Sequence, residues 1–175
     1  VITLPPKDKD EGLETRLLLA ECRGPSFPGY DLADATTCMQ LMDVVLWNRV
    51  EDPTPYLAKH KTLLSVVTAR GQFKGFERYP HYDSSIVHNI QQMINIANNA
   101  KDKRCGDFAD FITAAMAVAG AQTFVDPSSG TLTGWRTAGS GSPGAGFTLF
   151  KTILGTEFYF NQPPPAKQVK PDGGS

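Results

Sequence analysis

Apolar residues recur at helical spacing through the first two thirds of the chain, and the pattern gives way to turns beyond it. Leu13, Leu17 and Ala20 share one face of a helix expected over 11–22, with Arg16 pointing elsewhere and Gly24-Pro25 as the stop. A second helix is expected over 35–50, with Asp34 as N-cap, Cys38, Leu41, Met42, Val45 and Leu46 at core spacing, and Pro53 and Pro55 marking its exit. A shorter apolar stretch, Leu63, Leu64, Val66 and Val67, precedes Gly71, and Gln72-Phe73-Lys74-Gly75-Phe76 reads as a turn or short hairpin able to line a groove. Ile86, Ile90, Met93, Ile94 and Ala97 predict a core helix over 85–100 capped by Ser84. A fifth helix begins near Asp107, carries Phe108, Phe111, Ile112, Ala115 and Met116, and ends at Gly120.

After that helix, Asp126-Pro127-Ser128-Ser129-Gly130 is a strong turn, and 137–146 is rich in Gly and Ser without an apolar period, as in a mobile loop. A strand is expected over 157–160, and 163–175 has the composition of a flexible tail. The expectation is one mainly α domain of α+β class over 1–162, with a small β element and no internal repeat.

With 175 residues, 41% of them apolar and 20% charged, the chain suits a single soluble globular domain, and no apolar run approaches bilayer length. The net charge of −1 argues against strong nonspecific attraction to nucleic acid or membrane, so the expected ligand is a neutral polymer or a small molecule. Cys22, Cys38 and Cys105 lack the spacing of a zinc or redox site, and neither a metal nor a cofactor is expected. Two readings of the thiols stand open: a Cys22–Cys38 disulfide and buried free thiols, the commoner case.

Chemistry enters at Glu21, which borders the apolar face near the last turn of the first helix. Partial desolvation and the negative end of the helix dipole both disfavour its ionised form, so its carboxyl is expected to hold a proton near neutral pH and to be able to act as a general acid. The competing reading is an ordinary solvent-facing glutamate, with Arg23 pulling its pKa back down.

The order of several short motifs decides between them. Ala20-Glu21-Cys22-Arg23-Gly24, the helix closing in Asn48-Arg49-Val50, then Gln72-Phe73, the Asp126-to-Gly130 turn, Trp135, and Gly155-Thr156-Glu157-Phe158-Tyr159 follow one another between Leu17 and Phe160. In that order the chain resembles the SleB-type cell-wall hydrolases of the lysozyme-like superfamily. The resemblance implies a lysozyme-like helical fold that cuts the glycan strands of bacterial peptidoglycan, with Glu21 in the position of the catalytic glutamate. Three departures stand out. Ser128 and Ser129 take the place of Thr and Gly in the family's turn. Pro25 replaces a second Glu common after Arg-Gly in the family, and a Gly-rich insert separates Trp135 from Phe147.

A sugar-binding groove needs aromatic faces and amides or hydroxyls, and Gln72, Phe73, Tyr79, Trp135 and Tyr159 supply them, with core packing or buried hydroxyls as the competing roles. Asn48 and Arg49 are expected to brace the second helix. A second catalytic carboxylate would come from Asp126, for which a turn-forming role competes, or from Asp83, which equally suits a helix start. If neither faces Glu21, two routes remain: a lytic one, in which the sugar's own hydroxyl closes an anhydro ring after muramic acid, and hydrolysis after N-acetylglucosamine, in which the acetamido group or a mobile acid assists. Muramidase, lytic transglycosylase and N-acetylglucosaminidase thus all stay open. The chain starts at Val1 without a basic and apolar leader and carries no wall-binding module. A toxin delivered to a rival's periplasm, for instance by a type VI secretion apparatus, is therefore expected, with a small immunity protein plugging the groove. The alternatives are a noncatalytic peptidoglycan-binding domain, a lytic transglycosylase for the producer's own wall, and a thiol hydrolase pairing Cys22 or Cys105 with His81 or His88.

Overall fold

The computed structural model describes residues 1–52, 61–121 and 124–161. The chain is mainly helical with a small antiparallel sheet: α1 (Asp10–Glu21), α2 (Leu32–Glu51), α3 (Leu63–Val67), α4 (Ser84–Ala97), α5 (Cys105–Gly120), β1 (Leu132–Thr137), β2 (Phe147–Ile153) and β3 (Thr156–Asn161). The expected tail at 163–175 and the Pro53 and Pro55 exit lie outside the described residues.

Helix α1 is central. It packs against all four other helices, and Gly12 to Leu19 are buried without a break. A single apolar stripe was the expectation, but a helix enclosed on every side buries its polar positions as well. Arg16, expected off the packed face, is buried, and its Nη1 donates to the carbonyls of Pro5 and Gly12, each at 2.8 Å. The extended segment before α1 crosses it so closely that a Cβ at Gly12 would lie 1.8 Å from the Pro6 carbonyl oxygen.

Glu14 is the costlier passenger. Its Oε2 accepts from Trp47 Nε1 at 3.4 Å, no N–H or hydroxyl reaches its buried Oε1, and its neighbour there is the Asp43 carboxyl. Burial first, and Asp43 second, push Glu14 up to about 10, and burial also raises Asp43. A proton held between the two acids satisfies both.

Helix starts differ from the expectations by the cap that wins. Asp31, three residues before Asp34, accepts from the Asp34 amide at 3.0 Å and starts α2 at Leu32. Asp83, not Ser84, caps α4, accepting from Ser85 N at 2.8 Å. Two apolar clusters fill the interior. One joins α1, α2, α5 and the sheet through Leu18, Met42, Phe111, Ile112 and Phe158, and the other joins Leu17 and Leu46 to α3 and the following turns through Val67, Phe73 and Phe76.

The sheet has the order β1-β3-β2, all antiparallel, with Trp135 opposite Phe158. The anticipated strand is β3, while β1 and β2 were not expected. Leu154 and Gly155, both at positive φ, make the two-residue turn between β2 and β3, the backbone geometry that matches strand twist. The 72–76 segment forms turns and no hairpin.

Candidate active site

Glu21 is the last residue of α1, where the buried helix reaches the surface. Beyond it, Cys22 turns extended and its N–H closes on Leu18 O, and turns at 24–27 and 27–30 carry the chain round to Phe27 and Tyr30. Gly24 lies against the Phe111 ring, leaving about 3.1 Å for a Cβ.

The half-buried carboxyl of Glu21 opens into a cleft of about 650 Å³. Gln72, Phe73 and Trp135 line this cleft with it, together with Arg49 and Phe27. Burial pushes the Glu21 carboxyl above its ordinary value, and the hydrogen bond from the Trp135 side chain pulls the other way without cancelling it. Arg23, expected to oppose the rise, has its guanidinium 5.1 Å over the Phe27 ring instead.

The walls are braced by the Asn48-Arg49 pair at the end of α2. Asn48 Nδ2 donates to Leu132 O at 2.9 Å and to Asp126 Oδ2 at 3.0 Å, while Arg49 Nε donates to Thr133 O at 2.7 Å. These bonds fix the start of β1 and thereby Trp135, three residues beyond Leu132. Arg49 also reaches the opposite wall, donating from Nη1 to Gln72 Oε1 at 3.1 Å with its guanidinium 5.3 Å over the Phe73 ring. Phe73 is buried and meets Trp135 at 5.1 Å between ring centroids, so it serves the core and the cleft at once.

Asp126 does not join Glu21. Its carboxylate accepts from Ser128 N at 2.7 Å, Ser128 Oγ at 2.6 Å, Gly130 N at 2.8 Å and Asn48, and it borders a different cavity with Trp47 and Glu51. Burial raises it, but the bonds from Ser128, Asn48 and Gly130 outweigh burial and leave it below the usual value. The turn-forming role accounts for the contacts with Ser128 and Gly130, and the bond from Asn48 ties that turn to α2. Asp83 is spent on capping α4. Tyr79 is buried in the second cluster and its hydroxyl donates to Lys7 O at 3.0 Å, while the Tyr159 hydroxyl bonds Glu157; neither lines the cleft.

Cys22 and Cys38 are buried free thiols in contact, and Cys105 is half-buried. The interaction with Cys38, then burial, pushes the Cys22 thiol up, the opposite of an activated nucleophile. Among the described residues no group of three potential ligands is placed to hold a metal, and no helix is long and apolar enough to cross a membrane.

Sequence reasoning missed the cleft's charge. Arg23, Arg49, Lys74 and Arg136 line it, and Glu21 is the only acid among its described lining residues, although the whole chain has 17 Lys and Arg against 18 Asp and Glu. No protein-family model matches the chain, and neither a curated protein nor a solved structure does.

Proposed function

We propose that the protein cleaves the glycan strands of peptidoglycan, with Glu21 as the general acid. One observation carries the reading. A carboxyl raised by burial stands at the mouth of a buried helix, inside a cleft whose walls are Trp135, Phe73 and Gln72, the groups that stack on sugar faces and bond their amides and hydroxyls. The resemblance to SleB-type hydrolases also supports it, since Glu21, Arg49, Gln72 and Trp135 come from four of the motifs that carry it and border one cleft.

Glu21 is the single acid among the described lining residues, and the route that needs no second carboxylate, the lytic one, is the one proposed. Protonated Glu21 gives its proton to the glycosidic oxygen as the C1–O bond breaks, and the departing sugar leaves as an alcohol. The resulting carboxylate then takes the proton of the muramic acid C6 hydroxyl, whose oxygen closes on C1 to form the anhydro ring and restores the acid. Burial suits both halves, because it keeps the proton on Glu21 before the reaction and makes the carboxylate a stronger base after it. An immunity partner, on this proposal, acts by covering the same cleft.

The test is digestion of purified peptidoglycan by the protein and by Glu21→Gln, with the released fragments weighed by mass spectrometry. Anhydro-ended fragments that vanish in the variant are expected. New reducing ends would replace the lytic route by hydrolysis. No release by folded protein would leave a binding role.

A further inference from the structure

The charge of the cleft is unexplained by neutral sugars, which need stacking and hydrogen bonds but no cations. Arg49 is absorbed by its bonds to Thr133 and Gln72, and Lys74 has Asp83 as a neighbour, whose carboxyl is lowered first by its bonds from Ser85 and last by that cation. Arg23 and Arg136 are different. Arg23 lies two residues beyond Glu21 and is exposed apart from the face it lays on Phe27. Arg136 follows Trp135 and is held in place by neutral groups, Nε on Ser140 Oγ at 2.8 Å and Nη2 on the Ser140 carbonyl at 2.9 Å. Its cross-strand neighbour Glu157 is engaged by the Tyr159 hydroxyl.

A guanidinium fixed in advance by uncharged oxygens keeps its charge for a ligand and loses little freedom on binding one. Arg136, fixed in this way, and Arg23, steadied only by the Phe27 ring, border a cleft whose single acid among the described lining residues is held toward its neutral form. Together they make a local field opposite in sign to the chain's net charge. Peptidoglycan differs from other amino-sugar polymers in the chemistry that would answer this field. Alternate sugars carry short peptides through a lactyl ether, and those peptides end and branch in carboxylates.

We propose that Arg23 and Arg136 read those carboxylates, so that the cleft selects peptide-bearing strands over peptide-free glycan. The inference rests on the glycan-cleaving reading of Glu21 but concerns which strands are taken. Binding separates the two. The Glu21→Gln variant is titrated calorimetrically with a soluble disaccharide-peptide and with the same disaccharide stripped of its peptide, in low and high salt, and cleavage of intact and amidase-stripped strands by the unaltered protein is followed in parallel.

The peptide-bearing fragment should bind about a hundredfold more tightly, about tenfold from each arginine, with a preference that shrinks in high salt. Adding Arg136→Gln or Arg23→Gln should cut that preference by about tenfold each, the weight of one charge-assisted bond, as circular dichroism reports an intact fold. Equal binding of the two fragments, or a preference untouched by both arginine substitutions, overturns the inference whether or not cleavage occurs. Selective binding without any cleavage upholds it and sinks the catalytic reading instead.

Discussion

Replacing Glu14 by Gln should change how stability responds to pH more than it changes stability itself. In the folded protein Glu14 keeps its proton because burial and Asp43 raise it to about 10, whereas in the unfolded chain it ionises near 4.5. Below that lower value both states are protonated and pH has no leverage. Above it the folded state holds one more proton than the unfolded state, so each further pH unit removes about 1.4 kcal/mol until the folded group also titrates. Between pH 5.5 and 8.5 the loss from this one residue is about 4 kcal/mol, or very roughly 8–16 °C in Tm for a domain of this size. Gln has the shape of the protonated acid, and its amide can donate to Asp43 as the carboxyl does, so near pH 4, where the unfolded acid is still protonated, the variant should match the parent within about 1 kcal/mol. Between pH 5.5 and 8.5 its lead should widen by about 4 kcal/mol. Glu21 is raised in both proteins and cancels in the difference. Urea denaturation at constant ionic strength across that range measures the gap, and parallel curves for the two proteins would refute the shared-proton account of Glu14 and Asp43.

Trp135→Phe keeps an aromatic wall but removes the donor that favours ionised Glu21, so the alkaline limb of a kcat/KM profile on peptidoglycan should move to higher pH; an unmoved limb would separate Trp135 from the acid. Asp126→Ala strips four hydrogen bonds from the turn that launches β1, and should cost about 2–3 kcal/mol by urea denaturation while leaving the chemistry in place, the reverse of what a catalytic base would do. Its depressed carboxyl should also make folding weaken as acid protonates it, since a lowered acid stabilises above its unfolded value and stops doing so below its folded one. N-ethylmaleimide should tag at most Cys105 in the native protein and all three cysteines after unreduced denaturation, read by intact mass; one tag in the denatured chain would mean a Cys22–Cys38 disulfide.

Local pattern carried the helices further than it carried their surroundings. The i, i+4 series from Ile86 to Ala97 located α4 because that helix has one buried side and one wet side. The same reasoning misjudged Arg16 and passed over Glu14 in α1, since periodicity cannot report how many neighbours will enclose a helix. Gly134, Trp135 and Arg136 in β1, and the largely exposed β2, lack the alternation that announces a half-buried strand, so only β3 was legible. Of the candidate groove residues, Gln72, Phe73 and Trp135 meet at Glu21 because Arg49 ties the two walls together. Tyr79 and Tyr159 have the right chemistry but spend their hydroxyls on Lys7 and Glu157, a choice that depends on packing and not on residue type.

The enclosure of α1 sets what can move when a ligand arrives. A helix gripped along its length by the other helices, and crossed at Gly12 by the chain's own backbone, holds Glu21 like a tooth set in bone. The β1 wall is held by other means. The 138–146 loop has glycines at positive φ at 139, 141, 144 and 146, and is fastened near its base by Arg136 on Ser140. The side chain that borders the cleft is thus also the loop's anchor, so an alteration of the loop at Ser140 would be felt as a displaced charge at the cleft wall.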